Sequence, residues 1–147
     1  GWNLIMSQIS RSLLTPRDLN LLESILGSND KRHSETYERL LANKVSTAIV
    51  IPLADIDPRV VTLNSRVSFA VGSSRADWRI LVSDDSLSVP GLTLSIMTLR
   101  GLAMLGRFAG EQISVEQPDG RLEVISIEDV LFQPDTSWTC PVESPVA

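Results

Sequence analysis

Two spacings of apolar residues divide the chain. Between Leu19 and Val45 they recur every three or four positions, the period of a helix with one buried face. From Val61 onward they recur every second position, the period of a half-buried strand. Thr15-Pro16 opens the first helix: Thr15 can cap it, Pro16 needs no N–H in the first turn, and Asp18 complements the helix dipole. Leu19, Leu22, Ile25 and Leu26 form its apolar stripe, and Gly27 suits the position just past its end. Ser28, Asn29 or Asp30 then caps a second helix, predicted from about Lys31 to Val45. Tyr37, Leu40, Leu41 and Val45 give its apolar face, and Glu35 with Arg39 an i,i+4 ion pair. So short a turn makes the helices an antiparallel hairpin with leucine packed on leucine. Ser46 to Pro58 carries Pro52, Asp55, Asp57 and Pro58 after the apolar run Ala48 to Ile51, and reads as a linker.

Val61, Leu63, Ser65, Val67 and Phe69 then alternate with Val60, Thr62, Asn64, Arg66 and Ser68, a strand with a break near Asn64-Ser65. Gly72-Ser73-Ser74 is a turn. Trp78, Ile80 and Val82 share one face of the next strand, Asp84 to Gly91 is a loop, and Leu92, Leu94 and Ile96 make the strand after it. Leu102, Ala103, Leu105 and Phe108 are punctuated by Gly101, Gly106 and Gly110, which predicts a short helix laid tightly on the sheet. Ile113 and Val115 resume the alternation. Pro118-Asp119-Gly120 is a hairpin turn before a returning strand, Leu122 to Phe132, and Asp135 to Ala147 reads as a loose tail. The fold class is α+β: a short helical hairpin followed by a mainly antiparallel sheet with one short helix. The divisions are an N-terminal extension (1–14), the hairpin (15–46), the linker (47–58), the sheet domain (59–135) and a flexible tail (136–147).

At 147 residues the chain can build one domain and an appendage without staples. Its net charge of −5 argues against a general nucleic-acid or anionic-membrane binder, because phosphate contacts need clustered Lys and Arg. Cys140 is the single cysteine, so no internal disulfide forms, which fits a reducing compartment. His33 is the single histidine, so a structural Cys/His zinc site is excluded within one chain. No apolar run approaches a membrane span, and Gly1 to Ser12 lacks the basic lead of a signal peptide. Gly1 to Leu14 stays open between extending the first helix, packing on the domain and self-association. His33 is expected in solvent, and Cys140 has no second histidine to activate it. Asp84-Asp85 reads as a solvated loop, and Asp55 and Asp57 as turn caps. No Gly-rich Lys-Ser/Thr phosphate loop is present.

The run Val60-Val61-Thr62-Leu63-Asn64-Ser65-Arg66-Val67, then Gly101-Leu102-Ala103-Met104-Leu105-Gly106 with Gly110-Glu111, then Pro118-Asp119-Gly120, resembles the C-terminal domain of the Gre-type transcript-cleavage factors. It resembles more closely their short relative, the regulator of nucleoside diphosphate kinase, over roughly Asp57 to Asp135. The resemblance implies an N-terminal antiparallel coiled coil, an FKBP-like α+β domain and a cytoplasmic protein. It also implies docking on RNA polymerase at the mouth of the secondary channel, hairpin inward. It places partner contacts on Thr98, Leu99, Arg100 and Gly101, where the cleavage factors usually read Ser-Pro-Leu-Gly, and on Arg107. Arg suits interface ion pairs. Gly110-Glu111 stands where those factors have Gly-Asp.

The cleavage factors hold two acidic residues at the hairpin tip to help bind a second magnesium in the polymerase active centre. Here the tip is Ser28, Asn29 and Asp30, followed by Lys31 and Arg32. One carboxylate beside two cations is a poor set for a hard divalent metal, and Asp30 reads as a helix cap. A first helix of about 11 residues spans only ~16 Å, too short to reach a deep catalytic centre. The expectation is a non-enzymatic polymerase-binding regulator with no catalytic residues, metal, cofactor or direct nucleic-acid contact, and no stimulation of cleavage. The alternative is a generic protein-interaction module. A peptidyl-prolyl isomerase, suggested by the FKBP-like fold alone, is weaker, since Phe69, Trp78, Phe108 and Phe132 read as core.

Overall fold

The computed structural model describes residues 11–28 and 33–136. In chain order the elements are β1 (Leu13–Leu14), α1 (Pro16–Leu26), α2 (Glu35–Thr47), β2 (Ile49–Val50), β3 (Arg66–Val71), β4 (Asp77–Val82), β5 (Thr93–Ser95), α3 (Leu99–Met104), β6 (Gln112–Glu116) and β7 (Leu122–Phe132). Single 3-10 turns lie at Leu53–Asp55 and Asp85–Leu87. The architecture is α+β, with a five-stranded sheet in the order β5-β4-β3-β7-β6. The sheet is mixed: β4 and β5 run parallel and every other neighbour antiparallel. Among the described residues no helix is long and apolar enough to cross a membrane.

α1 begins where the spacing places it. Thr15 Oγ1 accepts the Asp18 N–H at 3.2 Å, and Pro16 sits in the first turn. Leu22 and Ile25 are buried, while Leu26 at the rim of the stripe is exposed. α2 starts later than expected. Its cap is Ser34, whose Oγ accepts the Tyr37 N–H at 3.0 Å. Ser28 instead folds back, its hydroxyl donating to the Ile25 carbonyl at 2.7 Å. Asn29, Asp30, Lys31 and Arg32 lie outside the described residues. Arg39 reaches Glu116 at 3.4 Å rather than back to Glu35.

The helices pack on each other, and their base is closed by β1 and β2 in parallel register. The Ile49 N–H donates to the Ser12 carbonyl and the Ile51 N–H to the Leu14 carbonyl, both at 2.9 Å. The Leu13 N–H donates to the Gly106 carbonyl at 2.9 Å, joining this pair to the end of α3. Leu13-Leu14 therefore packs on the domain, and the stretch read as a linker holds a strand.

The first long strand is shorter than its alternation suggested. Val60, Val61, Thr62 and Leu63 are all buried, so this stretch has no two-sided pattern to obey. It ends in a turn, with the Ser65 N–H donating to the Thr62 carbonyl at 3.0 Å and Asn64 at φ 69°. A short polar side chain tolerates that left-handed conformation. β3 starts only at Arg66. Across the sheet Ser68 faces Trp78 and Arg66 faces Phe132, which puts both aromatics on the outer face. Trp78 is 38% exposed and stacks under the Arg66 guanidinium at 4.8 Å; Phe132 is 53% exposed. Neither is core, contrary to the expectation from their hydrophobicity. Asp135 and Thr136 are not loose: Asp135 accepts both Arg17 nitrogens at 2.9 and 2.8 Å, and Thr136 is buried against Gln133.

One core joins α1, α2, α3 and the inner face of the sheet. Leu14, Leu22, Tyr37, Leu41, Leu81, Leu102, Leu105 and Ile125 all belong to it. α3 can lie this close only because of two glycines. A Cβ on Gly101 would sit 2.1 Å from the Ser95 carbonyl oxygen. Gly106, at φ +85°, would place one 2.8 Å from the Ser12 Cβ.

Candidate functional site

The loop that enters α3 is built on its own hydrogen bonds. Thr98 Oγ1 donates to the Ser95 carbonyl at 2.6 Å and accepts the Gly101 N–H at 3.1 Å, capping the helix. Thr98 and Arg100 are exposed, and Leu99 is half-buried against the core. Gly101 is buried under the Ser95 backbone and supports the loop from beneath. Arg100 forms a two-pronged pair with Glu123 of β7, at 2.7 and 2.8 Å. This bond holds the Glu123 carboxyl below the usual carboxylate range and raises the Arg100 guanidinium further. The guanidinium is thus aimed along the sheet edge while nearly half its side chain stays in water.

Arg107 lies at the other end of α3. Its two nitrogens meet Glu111 at 3.0 and 3.1 Å, and the same carboxylate accepts the Phe108 N–H at 2.8 Å. Arg107 is half-buried, braced across the turn that leads into β6. Of the hairpin tip, Ser28 is exposed at the end of α1, and Asn29 and Asp30 lie outside the described residues. His33, expected in solvent, is half-buried and stacked on Tyr37 with ring centroids 4.5 Å apart. Asp84 accepts the Ser86 N–H at 2.8 Å and Asp57 that of Arg59 at 2.8 Å, so both are occupied with turns.

Three buried polar groups have bonds that sequence reasoning did not foresee. Lys44 is 5% exposed, and its Nζ donates to Ser12 Oγ at 2.6 Å, the Leu105 carbonyl at 2.7 Å and the Ala103 carbonyl at 3.3 Å. The cation thereby satisfies carbonyls at the C-terminal end of α3. Burial pushes its pKa down to about 7, with Arg107 adding to the fall and Glu111 opposing it. The signal was present: Lys44 follows Tyr37 and Leu41 at helical spacing, on the buried stripe. Asp18 is buried too. Desolvation raises its pKa, against the Arg17 hydrogen bond, and its Oδ2 accepts the Leu63 N–H at 3.3 Å. Tyr37 donates its hydroxyl to the Ile96 carbonyl at 2.8 Å, and burial raises it to about 12. No local pattern marks Glu123, whose partner is 23 residues away.

A groove of about 310 Å³ runs between α2 and β6, lined by Thr36, Arg39, Leu40, Asn43, Ser114 and Glu116 among others. A smaller one of about 100 Å³ adjoins it at Arg11, Lys44 and Arg107. Neither gathers a nucleophile and base, and among the described residues no three His, Cys, Asp or Glu side chains cluster as metal ligands.

The sequence matches no protein-family model and no curated protein. Among solved structures, the prokaryotic transcription elongation factor GreA/GreB from Nitrosomonas europaea matches with a TM-score of 0.65 and 27% identity. The match covers 84% of this chain and 99% of that one. The chain is similar to a Gre-type elongation factor. The match covers more of the chain than the sheet alone. Gfh1 of Thermus thermophilus also matches, at 18% identity over 81% of this chain and 97% of that one, but its TM-score of 0.37 carries no argument.

Proposed function

We propose that this chain is a non-enzymatic regulator of transcription that binds RNA polymerase at the secondary-channel entrance and does not stimulate transcript cleavage. The observation that carries the reading is the likeness to the Nitrosomonas europaea GreA/GreB factor over nearly that whole chain. The α3 loop supports it: Arg100 is exposed, oriented by Glu123, and set on a buried glycine that keeps the loop rigid. Within this reading the hairpin is a short coiled coil, the sheet and α3 form an FKBP-like domain, and the regulator of nucleoside diphosphate kinase is the nearest kind of Gre relative. The protein then works in the cytoplasm, without a cofactor.

Helix length supports the absence of cleavage activity. α1 has 11 residues and α2 has 13. At ~1.5 Å per residue the hairpin projects on the order of 20 Å. An occupant of the channel mouth with so short an arm acts by excluding other channel ligands.

The test is binding of the purified chain to core RNA polymerase, with a cleavage-competent Gre factor as competitor. Mutual exclusion is the expected result. In backtracked elongation complexes the chain is expected to add no cleavage. Added cleavage would overturn the reading of the tip, and absence of binding at micromolar polymerase would reject the function.

A further inference from the structure

Among the described residues, the edge strand β6 has one hydrogen-bonding side with no strand partner. At one end of its ladder the Ile127 N–H donates to the Glu111 carbonyl at 2.8 Å; just beyond the other, the Gln117 N–H donates to the Arg121 carbonyl at 2.8 Å. In an antiparallel ladder hydrogen-bonded pairs alternate. Between those ends Ile113 and Val115, opposite Ile125 and Glu123, therefore bond to β7. Gln112, Ser114 and Glu116 turn their N–H and C=O groups the other way. Among the described residues these groups have no strand partner, since β6 pairs with β7 alone.

Natural sheet edges are commonly covered or blunted by charge. This one is flanked by the groove of about 310 Å³ along α2, so the open backbone is reachable. Leu40 and Val115 give the groove apolar lining, and Arg39 stands on its rim. The charge there runs against that of the chain as a whole. Arg11, Arg39 and Arg107 line the groove and its extension, against Glu116, which meets Arg39 at 3.4 Å, and the Glu111 bound to Arg107. The chain itself carries −5.

We infer that the free edge of β6 is a docking site for an extended, acidic segment of a partner protein, which adds to the sheet as a sixth strand. Backbone pairing with Gln112, Ser114 and Glu116 supplies the register, and alternate side chains of the segment enter the groove. Its carboxylates meet Arg11 and Arg39. Five residues of β6 extend roughly 17 Å, which sets the occupant at about five residues. The inference does not rest on the polymerase reading, because it is argued from the open edge of β6 and the groove beside it alone.

The experiment titrates a capped synthetic peptide, Glu-Val-Thr-Val-Glu, into the isotope-labelled full chain and follows amide shifts. Saturable binding is expected, with the largest shifts at Gln112, Ser114 and Glu116. Ser114→Pro removes an outward donor while sparing the bonds to β7, and is expected to weaken binding at least tenfold. Arg39→Glu, which leaves the β6 backbone intact and gives up only the exposed 3.4 Å pair with Glu116, is expected to weaken it similarly. A matched Lys-Val-Thr-Val-Lys peptide is expected to bind at least tenfold less tightly. No saturation at millimolar peptide, equal binding of the basic peptide, shifts confined to another face, or pairing of β6 with a second copy of the chain would each overturn the inference.

Discussion

Replacing Lys44 with methionine keeps the length of the side chain and removes its charge. In the folded chain the amine loses its proton at about 7, against 10.5 in the open. The folded-state value is depressed, so between these two pH values the unfolded chain holds a proton that the folded chain has released. Stability therefore rises with pH across that window, by roughly 1 kcal/mol per pH unit, and is flat below it. From pH 7 to pH 9 the gain is about 2 kcal/mol. Lys44→Met has no such slope. It leaves the Ala103 and Leu105 carbonyls without their donor, at a cost of about 1–3 kcal/mol. The wild-type chain is thus expected to be clearly the more stable at pH 9, and to lose that advantage by pH 6. Urea denaturation of both proteins at pH 6, 7, 8 and 9 measures the difference. Parallel profiles would refute the reasoning. They would mean that the three oxygens around Nζ hold the proton throughout and outweigh desolvation.

Three further outcomes are expected. Gly101→Ala drives a Cβ to 2.1 Å from the Ser95 oxygen, and backbone on both sides leaves no easy relief; a loss of about 3 kcal/mol or more in chemical denaturation checks it. Thr15→Ala removes the cap of α1 and is expected to cost about 1 kcal/mol, with a matching fall in melting temperature. Arg100→Ala breaks an exposed pair worth less than about 1 kcal/mol, so stability should hardly move. Polymerase binding should nevertheless weaken at least tenfold; unchanged binding would remove Arg100 from the docking surface.

The legible parts of this fold were those governed by local rules. Thr15-Pro16 announced α1 because capping is decided within one turn, and Pro118-Asp119-Gly120 announced the turn into β7 because Gly120 alone takes φ 88° there. The illegible parts were decided by distant partners. Val60 to Leu63 alternated convincingly, yet all four residues are buried, since loop, α1 and sheet enclose them from every side. Trp78 and Phe132 have the hydrophobicity of core residues, and only the pairing of β3 with both neighbours puts them outside with Arg66. The site divides in the same way. Arg100 and Arg107 were visible as charges beside a glycine-marked helix; Glu111 lies only four residues past Arg107, but Glu123 is 23 residues from Arg100 and meets it only once β7 joins the sheet. Lys44 was hidden by expectation, because a lysine on an apolar stripe is usually assigned to its edge.

The pairing of Leu13-Leu14 with Ile49-Val50 turns the hairpin into a clamped cantilever. Both of its roots are bonded, and one of them is bonded again to the Gly106 carbonyl at the end of α3. Such a beam cannot swivel on a hinge at its base. Its base is therefore anchored twice to the end of α3, through Leu13 on the Gly106 carbonyl and Lys44 on the Leu105 carbonyl.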